Sequence, residues 1–129
     1  MIRAYSPIEH YEIFSYFSTL HKWPILEESL LPPIGFVSYL NDLPACFSFV
    51  YETVGSKWAI LEWLMVNPDL EKVSRSLVIE ECIEAAKQHA KNKGLVLFTS
   101  CKSAKLNQRY IDAGFQKTDE GMTNFVYRG

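Results

Sequence analysis

The sequence predicts a mixed α+β domain: a mostly antiparallel central sheet of about seven strands flanked by helices. Three observations predict it. Strand-like runs Gly35–Leu40, Ala45–Thr53 and Trp58–Val66 follow one another across the short turn-rich links NDLP and VGSK, which favours antiparallel neighbours. Ile79, Cys82, Ile83, Ala86 and Ala90 then mark one face of a long helix, and the apolar run LVLFTS behind it suits a buried strand reached by a crossover. A chain of 129 residues holds one core, so residues 1–129 are expected to form a single domain.

In chain order, Ile2–Tyr5 suits a short first strand. Ser6 is placed to cap a helix, with Pro7 at its first position and Glu9 completing a capping box. Ile8, Tyr11, Phe14, Phe17 and Leu20 recur at three-residue spacing as one broad apolar face, whereas His10 and His89 read as surface or boundary residues. HKWPILEESLLPP breaks the pattern into an irregular connection that can wall a pocket. After the three strands, a polar loop NPDLEKVSRS delivers the chain onto the long helix. Glu80 and Glu81 early and Lys91 and Lys93 late match the helix dipole, and Gly94 is placed to end it in a left-handed cap. A further helix is expected over Ala104–Ala113, stopping at Gly114. Phe115 then begins a strand, and DEGM turns it into a last strand, Thr123–Tyr127.

Composition narrows the class. With 48% hydrophobic and 22% charged residues the chain is neither disordered nor collagen-like. A net charge of −2 supplies no basic field, which argues against a nucleic-acid partner. Cys46, Cys82 and Cys101 are odd in number and lack metal-type spacing, so packed thiols are expected rather than a disulfide framework or metal site. The first residues have no apolar signal core and no run reaches membrane-spanning length, giving a cytoplasmic expectation.

The loop Asn67–Ser76 draws attention chemically. A helix start offers unpaired N–H groups and a positive dipole end, a ready anion site, although this loop lacks the glycines that let backbone approach phosphate closely.

Two segments, VNPDLEKVSRSLVI (Val66–Ile79) and RYIDAGF (Arg109–Phe115), set in this order of strands and helices, resemble the GCN5-related N-acetyltransferase (GNAT) family. Val66 and Pro68 match the family's Val-x-Pro strand exit. Its Arg/Gln-x-x-Gly-x-Gly/Ala loop falls on Glu71, Ser74, Arg75 and Ser76, with serines where glycines are usual; small GNAT-like chains with such a Gly-poor loop are also found among phage-encoded proteins. Tyr110 to Phe115 reproduces the Tyr-x-x-x-Gly-Phe end of the last long helix.

The resemblance implies a cofactor, acetyl-CoA or another acyl-CoA, and direct acyl transfer to a small-molecule or peptide amine. It implies cofactor contacts from the backbone amides of Leu64, Met65 and Val66, where the strand splays from its neighbour, and from the loop residues Lys72, Val73, Ser74, Arg75 and Ser76. Ser103 or Asn107 stands near the position of an Asn that contacts the pantetheine arm. Tyr110 matches a general acid at the thioester sulfur. Glu62, the one carboxylate in AILEWLMV, is the candidate general base, its pKa raised by burial, and strand alternation would put it on the face of Leu64 and Val66. His21 lies in the link that shapes the acceptor pocket in the family, and Trp23, Trp58 and Trp63 are candidates to line an apolar acceptor site. The rival reading is a catalytically degenerate GNAT fold kept as an interaction module, favoured by the lost glycines and acidic Glu71. Sheet and helix edges leave a homodimer open.

Overall fold

A computed structural model describes residues 1–128. Its elements are β1 (Ile2–Ala4), α1 (Pro7–Leu20), a single 3-10 turn (Glu28–Leu30), β2 (Gly35–Leu40), β3 (Leu43–Glu52), β4 (Trp58–Val66), α2 (Lys72–Lys93), β5 (Val96–Phe98) and α3 (Ala104–Asp112). The strands lie in chain order, β1-β2-β3-β4-β5, antiparallel except for the last pair, which the α2 crossover makes parallel.

Local chemistry explains the joints. Asn41 and Asp42 both take positive φ, 51° and 65°, the two-residue turn that closes a tight hairpin, so β3 begins at Leu43, two residues before the expected start. Gly94 ends α2 at φ 65° as expected, its N–H returning to the Lys91 carbonyl. The start of α1 differs from the expected capping box: the Ser6 side chain makes no cap bond, and its backbone N–H donates to Nδ1 of His10 at 2.9 Å. His10 is therefore a core residue, 1% exposed, while Ile8 is fully exposed; the buried face of α1 is His10, Phe14 and Phe17.

The sheet is covered on both faces. On one, α1 lays Phe14 and Phe17 over Phe47, Phe49 and Met65, with edge-on ring contacts such as Phe14–Phe49 at 5.3 Å. On the other, α2 and α3 bury Ile83, Ala86 and Tyr110 against Val50, Ala59 and Leu61, while Val78 and Cys82 meet Ala45 and Cys46. Five strands form among the described residues, against about seven expected. The missing pair is the terminal hairpin: after α3, Phe115 packs its ring 5.2 Å from Tyr110, but residues 116–128 take no strand, and Phe125 and Tyr127 stand exposed. An isolated hairpin is marginal in water.

Candidate functional site

The site begins where two strands part. Parallel pairing of β4 with β5 ends at Ile60 and Phe98, yet β4 runs on for six residues to Val66. Thr99 makes a last tie, its hydroxyl donating to the Leu61 carbonyl at 2.9 Å. Beyond it the edge of β4 is open, which is the splay that the sequence resemblance implied. Asn67 N–H donates inward to Ala45 on β3, so the two-residue period turns the backbone groups of Val66 and Leu64 outward. The Val66 carbonyl accordingly accepts Nε2–H of His21 at 2.6 Å, from the end of α1.

The same period corrects one expectation. The Met65 backbone pairs with Phe47 and its side chain is buried under α1, so its amide serves the sheet rather than the open edge.

A bulge corrects a second. Phe49 faces Glu62 and Phe47 faces Met65, which leaves one residue of β3 opposite two of β4, Trp63 and Leu64. Trp63 takes φ 55°, a left-handed conformation that costs a non-glycine residue about 1 to 3 kcal/mol. Its indole N–H is anchored on the Tyr51 hydroxyl at 2.7 Å, and that hydroxyl donates to the Leu30 carbonyl at 2.8 Å. The extra residue flips the alternation. Glu62 therefore shares a face with Phe49, under α1, and stands opposite the face of Leu64 and Val66.

Glu62 makes no ion pair or hydrogen bond among the described residues, and burial pushes its carboxyl above the ordinary range. Tyr110 lies on the opposite face, 6% exposed, its phenol pushed up to about 12 mainly by burial, with the Thr99 hydroxyl beside it acting the other way and the charge of Glu62 adding to the rise. The splayed edge of β4 thus runs between a carboxylate on one face and a phenol on the other.

At the end of that edge comes the loop. Asn67 accepts the Asp69 N–H in a tight turn, and α2 starts with Glu71 at its cap position. The amides of Lys72, Val73 and Ser74 have no acceptor among the described residues, whereas Arg75 N–H already bonds the Glu71 carbonyl. The Ser74 hydroxyl donates to the Glu71 carboxylate at 3.3 Å, so an acidic group sits beside the free amides. The Arg75 side chain has no ion-pair partner among the described residues.

Ser103 and Asn107 are engaged within α3. Ser103 caps it, accepting Leu106 N–H at 3.3 Å, and the Asn107 carbonyl oxygen accepts the Cys101 thiol at 2.6 Å. The free thiols Cys46 and Cys82 are buried, as packed residues should be. Trp23 sits 5.2 Å from the His21 ring near the open edge, and Trp58 packs at the closed end against Phe98, the rings tilted by 31°. Three contributors escaped sequence reading: Thr99, Tyr51 and Arg109, whose guanidinium donates to the Ser76 hydroxyl at 2.9 Å. Each acts through a contact far along the chain, which no local pattern announces.

No protein-family model and no curated protein matches this chain. Solved structures do. A protein described as a probable acetyltransferase has a TM-score of 0.73 at 17% identity, over 100% of this chain and 98% of that one. The ribosomal-protein-S18-alanine N-acetyltransferase of Escherichia coli has a TM-score of 0.76 at 16% identity, over 92% and 79%. An aminoglycoside N-acetyltransferase solved in complex with CoA has 0.66 at 15%, over 99% and 100%. At such identities the likeness shows a shared fold, the mixed α+β GNAT fold expected from the sequence.

Proposed function

Because the chain carries the GNAT acetyltransferase fold, we propose that it binds acetyl-CoA or a related acyl-CoA and moves the acyl group directly onto an amine. The observation that supports this best is the open edge of β4, which leads from between Glu62 and Tyr110 to the free amides that start α2. Acyl-CoA supplies a thioester. The residues then divide the work among themselves.

Outward N–H groups of Leu64 and Val66 hydrogen-bond the extended arm and the acyl oxygen, stabilising charge that grows there as the amine attacks. Glu62, desolvated and without a cation beside it, takes the proton from the incoming ammonium or amine. Tyr110 points its O–H at the departing sulfur. A thiol has an ordinary pKa of about 8.5, so full transfer from a phenol at about 12 is uphill by roughly 5 kcal/mol; the proposed role is a hydrogen bond to sulfur that needs no complete transfer. The amides of Lys72, Val73 and Ser74, with the Arg75 guanidinium, hold the pyrophosphate. Ser103, the cap of α3, and Asn107, one turn further on, contact the arm. The acceptor is a small-molecule or peptide amine that approaches from the side of α1, His21 and the irregular link. Among the described residues no helix is long and apolar enough to cross a membrane. The site of action proposed, on the fold likeness alone, is the cytoplasm.

The second reading, a cofactor-free interaction module, is favoured by one observation: the Glu71 carboxylate beside the free amides. Calorimetry with acetyl-CoA separates the two. Saturable binding supports the enzyme; folded protein that takes up no heat at millimolar cofactor rejects it.

A further inference from the structure

In α1, Ser18 and Thr19 turn their hydroxyls back onto carbonyls one helical turn earlier, at 3.0 and 3.1 Å. Ser76, one turn into α2, does not. Its oxygen accepts Nη2–H of Arg109 from α3, and its own hydrogen has no acceptor among the described residues. Arg109 is itself under-used: a half-buried guanidinium with five donors makes one side-chain hydrogen bond, to a neutral hydroxyl, and no ion pair within 4.0 Å among the described residues.

Carboxylates are near without engaging it. Glu80, Glu84 and Asp112 line the groove between α2 and α3 along with Arg109. Glu84 pairs with Lys87 and Asp112 accepts from Gln108, and the guanidinium turns away from them toward the start of α2. At this intermediate exposure water reaches the remaining guanidinium N–H groups, which leaves them available to an anion that arrives at the start of α2.

We propose that Arg109 and Ser76 form a cross-helix clamp for the phosphates of the acyl-CoA, taking over the grip that bare glycine amides would give. This rests on the acyl-CoA reading above. The chemistry is additive in one direction: donation from Arg109 polarises the Ser76 hydroxyl, which becomes a better donor to a phosphate oxygen. The remaining guanidinium N–H groups reach the same anion as a fork.

The test compares acetyl-CoA with acetyl-pantetheine, which lacks the phosphates, by calorimetry on the whole chain. Arg109→Ala is expected to weaken acetyl-CoA about tenfold to hundredfold while leaving acetyl-pantetheine unchanged. Arg109→Lys recovers part of the loss, and Ser76→Ala loses less than Arg109→Ala. If Arg109→Ala fails to fold, Arg109→Gln, checked by circular dichroism, takes its place. Wild-type affinity for acetyl-CoA in the variant overturns the clamp, and so does an equal loss for both ligands, which marks a structural role. A wild-type chain that binds no acetyl-CoA overturns the acyl-CoA reading and the clamp with it.

Discussion

Glu62 stands directly across the β3–β4 ladder from Phe49, on the face of the sheet covered by α1. A carboxylate there has lost water and gained no cation, which raises its pKa. Two outcomes follow for Glu62→Gln. Turnover falls by about 10² or more, and the rise of wild-type rate with pH, set by ionisation above the ordinary carboxylate range, disappears. Stability moves oppositely: a carboxyl whose folded pKa is raised favours folding most at low pH and loses that advantage as pH climbs through the shifted value. The variant therefore melts higher than wild type at pH 7, and the gap closes near pH 4. An unchanged pH–rate profile removes Glu62 as the base.

Tyr110 is expected to stay protonated throughout the working range. In ultraviolet titration, the difference between wild type and Tyr110→Phe should show no phenolate below about pH 11. Once an acceptor is in hand, the Phe variant should lower kcat while leaving acetyl-CoA affinity within a factor of about two, because only a hydrogen bond formed late in the reaction is lost. Equal turnover would leave Tyr110 a packing residue.

The loop allows a paired charge experiment. Arg75→Ala should weaken acetyl-CoA by about 1 to 3 kcal/mol through the loss of a charge-assisted contact. Glu71→Gln should act in reverse, tightening binding by about 0.3 to 1 kcal/mol as the competing anion leaves the helix start. Both effects should shrink in high salt. Variants that move affinity in the same direction would contradict an anion site at this turn.

His10 links pH to folding. Its Nδ1 accepts Ser6 N–H, so Nε2 carries the hydrogen and donates to the Tyr39 hydroxyl at 2.6 Å; a proton on Nδ1 would break the first bond inside the core. Burial lowers its pKa. The contribution is complete above the unfolded value of about 6.5 and drains as pH falls toward the lower folded value. His10→Ala should cost about 1 to 3 kcal/mol at pH 7 and lose that part of the acid sensitivity, measured by urea unfolding at a series of pH values.

What the sequence disclosed was local. Gly94 stopped α2 where a left-handed cap was expected, and Pro68 followed the end of β4 as the resemblance required. The bulge was hidden because its positive-φ residue is Trp63, a side chain with no preference for that conformation; Tyr51, twelve positions away, holds it there. Misplacing one residue in β4 reversed the face assigned to Glu62 and overcounted the open amides by Met65. His10 was hidden too, since a histidine on the first turns of a helix ordinarily faces water. The terminal hairpin differed for another reason: its turn and strand propensities are local, and local propensity alone does not make a sheet.

The alternation along the end of β4 has a signature in solvent exchange. Met65 N–H, locked to Phe47, should keep its proton for as long as the sheet stays closed, while Leu64 and Val66 on either side give theirs up quickly. Such a slow amide between two fast ones is a fingerprint of a strand with one partner. When an extended ligand lies along the free side, the two fast amides should slow and the middle one should hardly change, so a deuterium experiment reads occupancy of the cleft without any knowledge of the acceptor.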